Sequence, residues 1–291
     1  MTRAESSLNY FLIQSFSSSV FIFSFCFNIL FSIIDILFFF NIFIFIMVSS
    51  LIIKLGIAPF HFWFPNVSSN ISWEINLILI TWQKITPIFI IILIGLEIDL
   101  LIILLIIISS FVGSIGIINE FSLRKLISYS SINHLSWLVR CIVLNYNIWL
   151  LYFLIYSFLN FCIIYFIKNF QIYYLSQLYS KFRFISYKLF FIFPILSIGG
   201  LPPFLGFLPK LILIYTIVYN QYTLLLIFLI FIRLFALFVY LNISFRILFL
   251  RFNEMNIKFN NLTNTTFEFI FLSINTFISI FGISLIIFIF M

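Results

Sequence analysis

"SIGGLPPFLGFLPKLILI", residues 197–214, gathers Gly199, Gly200, Pro202, Pro203, Gly206, Pro209 and Lys210 into one short stretch of a chain otherwise rich in Phe, Ile and Leu. Proline lacks the amide proton and clashes with the preceding helical turn, and glycine permits turn dihedrals, so this stretch interrupts a helix. It has a relative earlier in the chain. "GIAPFHFWFP" at 56–65 and "GLPPFLGFLP" at 200–209 share Gly-x-x-Pro-Phe-x-x-aromatic-x-Pro, which matches Gly56, Pro59, Phe60, Trp63 and Pro65 to Gly200, Pro203, Phe204, Phe207 and Pro209. An abundance of phenylalanine does not account for the matched glycines and prolines, so the two stretches read as copies of one motif.

Around these motifs the composition is that of a membrane protein. The 291 residues are 64% hydrophobic and 8% charged, with a mean hydropathy of +1.27, whereas a soluble domain carries about 25% charged residues. Apolar runs of roughly 20 residues, enough to cross a hydrocarbon core as helix, recur from end to end. They lack the period-two alternation of barrel strands, so helices remain the way to satisfy the backbone in lipid. The first run, 8–27, is too long for a signal peptide's apolar region and no small-residue cleavage site follows it. The expected fold class is an all-α polytopic membrane protein, one transmembrane domain over residues 1–291 with no soluble domain.

Polar breaks divide the chain into nine expected spans, near 8–28, 34–56, 72–93, 97–119, 124–145, 148–168, 188–208, 222–245 and 267–290. Taking exposed segments alternately, one side collects Arg3, Arg124, Lys125, Lys168, Lys181, Arg183, Lys188, Arg246, Arg251 and Lys258. The other holds Glu97 and Asp99, with Arg140 and, at a span edge, Lys210. By the positive-inside rule the N-terminus faces cytoplasm or matrix and the C-terminus the opposite compartment. This segregation also explains the net charge of +7 without a nucleic-acid partner. Cys26, Cys141 and Cys162 lie in apolar runs with no Cys-x-x-Cys spacing and read as packing residues, so neither metal nor disulfide is expected. The 45 Phe against 8 Gly fit an A/T-rich, organellar coding sequence.

The two motifs end spans five apart, so they run through the membrane in opposite directions, as in the inverted-topology repeats of transporters. The apolar stretch 36–67 would exceed about 45 Å as one helix, so a discontinuous element is expected there. Carbonyls and amides freed at membrane depth then need water or protein partners.

Charged residues within spans are functional candidates because each costs roughly 2.5–3.5 kcal/mol on insertion scales. Lys84, in "TWQKITP", lies about 18 Å into its span at helical rise, too deep to snorkel comfortably. Lys54 and Lys210 flank the two breaks, where snorkelling along the stem competes with function. His134, about 15 Å into its span, reads equally as a packed, hydrogen-bonded histidine or a proton carrier, and His61 sits inside the first break. Asp35 and Arg233 are further span charges with no partner evident from sequence. Lysine suits a proton path, since removal from water disfavours its charged form and makes the proton exchangeable near neutral pH.

With these residues in view, the chain resembles the subunit 2 family of mitochondrial NADH:ubiquinone oxidoreductase, respiratory complex I, an antiporter-like membrane family. The resemblance rests on "ESSLNYFLIQ" (5–14), "KLGIAPFHFWFPNV" (54–67), "TWQKITP" (81–87), "LRKLISYSSINHLSW" (123–137) and "GGLPPFLGFLPK" (199–210), in the family's order. It covers the first three quarters of the chain. The resemblance implies a central hydrophilic axis carrying Lys54, Lys84 and Lys210 with His134 close by, and two discontinuous helices at the motifs. It implies coupling of electron transfer to proton translocation in the mitochondrial inner membrane, with the basic face toward the matrix. No cofactor is expected in this subunit; NAD, FMN, iron–sulfur clusters and ubiquinone would belong to the complex, and the partners would be other membrane-arm subunits and lipids. Family members begin with further helices, one bearing an intramembrane glutamate that pairs with the lysine matching Lys54. This sequence starts after them, Glu5 matching a loop residue, so an N-terminal truncation is expected.

A free-standing cation/proton antiporter of the related fold is the alternative. Such a protein would carry paired intramembrane carboxylates, which are scarce here beside the lysines. A purely structural bridging subunit would have no use for lysines at membrane depth.

Overall fold

Helices form wherever the apolar runs are long enough to bury a side-chain face and stop where glycine, proline or polar clusters intervene. The structure, a computed structural model, describes residues 3–33, 37–95, 100–144, 146–181, 185–249, 273, 275–280 and 282. Among them are α1 (Arg3–Ile33), α2 (Leu37–Leu55), α3 (Trp63–Asn70), α4 (Trp73–Ile80), α5 (Trp82–Ile94) and α6 (Leu100–Asn119). There follow α7 (Leu123–Leu144), α8 (Tyr146–Asn169), α9 (Leu175–Lys181), α10 (Ile185–Gly199), α11 (Leu208–Tyr219) and α12 (Thr223–Phe249). A 3-10 turn, Leu205–Phe207, precedes α11. The extended structure among the described residues is one antiparallel bridge, Ser122 to Tyr174.

The all-helical, polytopic reading holds. Among the described residues five stretches are long and apolar enough to cross a membrane: Ala4–Phe31, Trp73–Ile94, Ile102–Asn119, Asn147–Asn169 and Thr223–Phe249. Shorter apolar helices cover Ile42–Leu55, Ile185–Gly199 and Leu205–Tyr219. The expected ninth span, 267–290, lies mostly outside the described residues, and Asp35, Glu97, Asp99, Arg183, Arg251 and Lys258 lie outside them entirely. Nor are the side chains of Arg3 and Lys181 described. The expected span 72–93 is interrupted at Thr81, whose amide and hydroxyl both turn back to the Leu77 carbonyl, at 3.0 and 2.8 Å. The expected span 188–208 stops at Gly199.

α7 is the polar centre of the bundle. It carries Ser128, Ser130, Ser131, Asn133, His134 and Ser136, and nearly every residue from Leu126 to Leu138 is buried. Its serines make this tolerable: Ser128, Ser130, Ser131 and Ser136 each donate to the carbonyl three residues back at 2.7 Å, leaving no hydroxyl proton unspent in an apolar setting. α6 packs directly on this helix. A Cβ on Gly113 would lie 2.7 Å from the Asn133 backbone nitrogen, a close approach of the kind small residues allow between membrane helices.

The basic ends gather at one end of the bundle. Arg124 donates to the Ser69 carbonyl at 2.8 Å, its guanidinium carbon 5.2 Å from the Trp73 ring centre and 5.0 Å from that of Tyr173. Lys168 pairs with Glu74, and Lys125 lies 3.5 Å from Glu120. Backbone bonds from Leu123 to Tyr173 and from Leu175 to Phe121, both 3.0 Å, tie the α8–α9 connection to the start of α7.

Candidate functional site

At the first motif α2 ends at Leu55, and turn residues lead to α3 at Trp63. Gly56 adopts φ +68°, the left-handed region that glycine enters without a Cβ penalty, and Pro59 follows Ala58 through a cis peptide bond. The Trp63 indole closes the turn by donating to the Ile53 carbonyl at 3.1 Å. His61 is buried in the turn, with Nδ1 3.3 Å from the Pro59 carbonyl and its ring 4.2 Å from that of Phe62. Lys54, half-buried in the last turn of α2, points its ammonium at the Phe21 ring of α1, 5.9 Å from the centre.

Phe64, carried by α3 just past this break, shields Lys84. That lysine is 2% exposed and its Nζ has no hydrogen-bond partner among the described residues. Its charge meets ring faces instead, 5.2 Å from the centre of Phe64 and 5.6 Å from that of Tyr156 on α8. Cation–π attraction strengthens when both groups are withdrawn from water. The Tyr156 ring also lies 4.9 Å from the imidazole of His134, tilted by 35°. His134 in turn shares a 2.9 Å hydrogen bond between Nδ1 and the Tyr152 hydroxyl. Lys84, Arg233 and the Ile198 carbonyl all lie within electrostatic reach of this imidazole.

Ile198 belongs to the second motif. α10 ends at Gly199, Gly200 turns with φ +77°, and the chain passes Pro202 and Pro203, both exposed, before re-entering helix. Lys210, 5% exposed on α11, reaches back across the break and donates to the Ile198 carbonyl at 2.8 Å. Arg233 on α12 donates to the same carbonyl at 2.6 Å and to that of Gly199 at 3.1 Å. The break is tightly closed on itself, since a Cβ on Gly206 would overlap the Ser197 carbonyl oxygen.

The fold therefore brings Lys84, His134 and Lys210 into one buried cluster running from the first break to the second. Lys54 and His61 lie at the first break, against Phe21 and against Pro59 and Phe62. Three tyrosines that the sequence did not single out, Tyr152, Tyr156 and Tyr240, complete the cluster together with Arg233, a span charge whose partners the sequence did not reveal. A signal existed on α8, where Tyr152, Tyr156 and Asn160 recur every fourth residue and so share one helical face. Lys188, counted with the loop charges, is instead buried in the first turn of α10 near the Leu248 carbonyl. Arg140, counted with the opposite face, is wholly buried with its guanidinium 4.4 Å from the Tyr222 ring centre. None of Lys84, Lys210 and Arg233 has a carboxylate partner among the described residues, unlike Lys125 beside Glu120 and Lys168 beside Glu74.

Comparison with known proteins gives the cluster a setting. Residues 1–236 match the family described as NADH:quinone oxidoreductase/Mrp antiporter, TM. The chain is 42% identical over 224 residues to NADH-ubiquinone oxidoreductase chain 2 of Anopheles gambiae, covering 74% of this chain and 62% of that protein. It is 38% identical over 232 residues to the chain of the same name in Locusta migratoria, covering 78% and 66%. It thus spans less than two thirds of the length of these curated relatives. Its fold is similar to a chain of respiratory complex I from Thermus thermophilus with bound aureothin, at a TM-score of 0.77 and 20% identity over 94% of this chain and 67% of that one. It is also similar to a chain of the Mrp complex from Dietzia, at 0.73 and 16% over 82% and 50%. With most of its length matched, the chain belongs to the NADH:quinone oxidoreductase/Mrp antiporter transmembrane family.

Proposed function

We propose that this chain is a membrane-arm subunit of an NADH:ubiquinone oxidoreductase and couples electron transfer elsewhere in the complex to proton translocation through its buried cations. The carrying observation is the cluster itself: Lys84, His134, Lys210 and Arg233 buried together with no carboxylate partner among the described residues. Sequence similarity to curated chain 2 proteins supports the choice of complex. In this reading residues 1–291 contain nine spans, two of them discontinuous at Gly56–Pro59 and Gly199–Pro203. Its N-terminal side faces the matrix, and its C-terminus faces the intermembrane space. NAD, FMN, iron–sulfur clusters and ubiquinone belong to neighbouring subunits, with which it packs among lipids in the mitochondrial inner membrane.

Chemically, each site holds or releases one proton. Lys84 and Lys210 are separated by His134, an imidazole able to accept on one nitrogen while donating from the other. The Tyr152 hydroxyl fixes the ring at Nδ1. Like charges in a low-dielectric interior repel strongly, so a proton arriving at one lysine favours departure from the next. A charge change made at one end of the cluster is thereby passed along it. Lys54 and His61 form the side approach from the first break.

The test uses the assembled complex in sealed vesicles. Lys210→Met should abolish NADH-driven acidification and slow electron transfer to ubiquinone, while leaving assembly and NADH oxidation by a water-soluble acceptor intact. Unchanged acidification in that variant contradicts the proposal.

A further inference from the structure

A helix leaves its last four carbonyls without amide partners. At the end of α10 they are served in two ways. The backbone serves the first two: Gly200 N–H donates to the carbonyls of Leu196 and Ser197 at 3.0 and 2.9 Å, and Leu201 N–H to that of Leu196 at 3.4 Å. Side-chain cations serve the last two. Arg233 takes Ile198 and Gly199, and Lys210 shares Ile198. Both lone pairs of the Ile198 oxygen are therefore occupied, one by a group that can lose its proton and one by a guanidinium that keeps its charge.

We propose that Arg233 is the positioning residue of the Lys210 site. It is a fixed cation that holds the open end of α10, so that Lys210 gives up and regains its proton without the break rearranging. The inference rests on the reading of Lys210 as a proton site. Were Lys210 the sole side-chain donor here, the Gly199 carbonyl would have none, and loss of the Lys210 proton would leave Ile198 with only the weaker hydrogen bond of a neutral amine. With Arg233 in place, the helix end stays capped in either protonation state. The charge also suits the place, because the carbonyl end of a helix carries the negative pole of its dipole.

Among the described residues Arg233 meets no carboxylate. It is 8% exposed, and the titratable groups near it are His134 from α7, Tyr152 from α8 and Tyr240 from its own helix, besides Lys210 from α11. Tyr240 also packs on Gly199, whose Cβ, if present, would meet its ring at 3.4 Å. Arg233 is thus held against the break from both sides.

Three variants of the assembled complex test the proposal: Arg233→Lys, Arg233→Gln and Lys210→Met. Arg233→Lys keeps a charge and a donor and should retain most proton translocation. Arg233→Gln keeps amide donors but no charge; it should assemble and yet lose translocation by about tenfold. Translocation retained in Arg233→Gln, lost in Arg233→Lys, or assembly lost in either variant overturns the inference, the last assigning Arg233 a structural role alone. Lys210→Met separates the two levels: if it translocates normally, the proton-site reading itself has failed, whatever the arginine variants do.

Discussion

Lys84 and Tyr156 face one another inside the bundle, the ammonium nitrogen 5.6 Å from the ring centre, and the other neighbour of that ring is His134 at 4.9 Å. One aromatic ring therefore faces both a buried cation and a buried imidazole. The ring face, more than the hydroxyl, should matter to Lys84. Tyr156→Phe should keep proton translocation within about twofold, whereas Tyr156→Leu removes an interaction of roughly 2 kcal/mol and should lower both translocation and the thermal stability of the assembled complex. Equal behaviour of the two variants would show that the ring face does not hold the charge.

The hydrogen bond between Tyr152 and His134, 2.9 Å long, gives a separate expectation. Tyr152→Phe leaves one nitrogen of a buried imidazole unpaired, costing about 1–3 kcal/mol. Assembly should persist, and the rate of NADH-driven acidification in vesicles should fall several-fold as the ring loses its fixed orientation. A rate equal to that of the parent complex would remove Tyr152 from the path.

Gly200 supports Lys210 through space and conformation together. Its φ is +77°, and a Cβ there would lie 2.5 Å from Lys210 Nζ and 3.0 Å from Cδ. Gly200→Ala should therefore push the ammonium off the Ile198 carbonyl, add strain of about 1–2 kcal/mol, and depress translocation. Gly95 is the control, because its φ of +69° is similar but a Cβ would meet nothing within 4 Å. Gly95→Ala should cost stability on its own while leaving translocation near normal; similar losses in both would trace the effect to backbone strain.

Much of this was legible from residue chemistry. Proline and glycine act locally, so the ends of α2 at Leu55 and α10 at Gly199 follow from the motifs that interrupt them. A lysine at membrane depth also announces itself by cost, which is how Lys84 stands out without knowledge of its neighbours. What the sequence hides is which helices meet. Tyr156 acquires meaning only because α8 packs beside α5, and Arg233 only because α12 lies across the end of α10. Nor does hydropathy register α7 correctly: its serines, asparagine and histidine lower its apolar character, yet the helix is the most enclosed part of the bundle. The helix is interrupted at Thr81 by a departure from helical dihedrals, φ −109° and ψ −74°, with no glycine or proline at the break. Arg140 and Lys188 look like surface charges by position and prove buried, because neighbouring helices extend past them.

The central claim is that protons pass through the buried cations, and Lys84 is its most direct test. Lys84→Met preserves side-chain length and apolar packing between Phe64 and Tyr156 while deleting the exchangeable proton. Measured as protons translocated per NADH oxidised, with the assembled complex in sealed vesicles, the account predicts loss of translocation with assembly intact. Full translocation in that variant would contradict it.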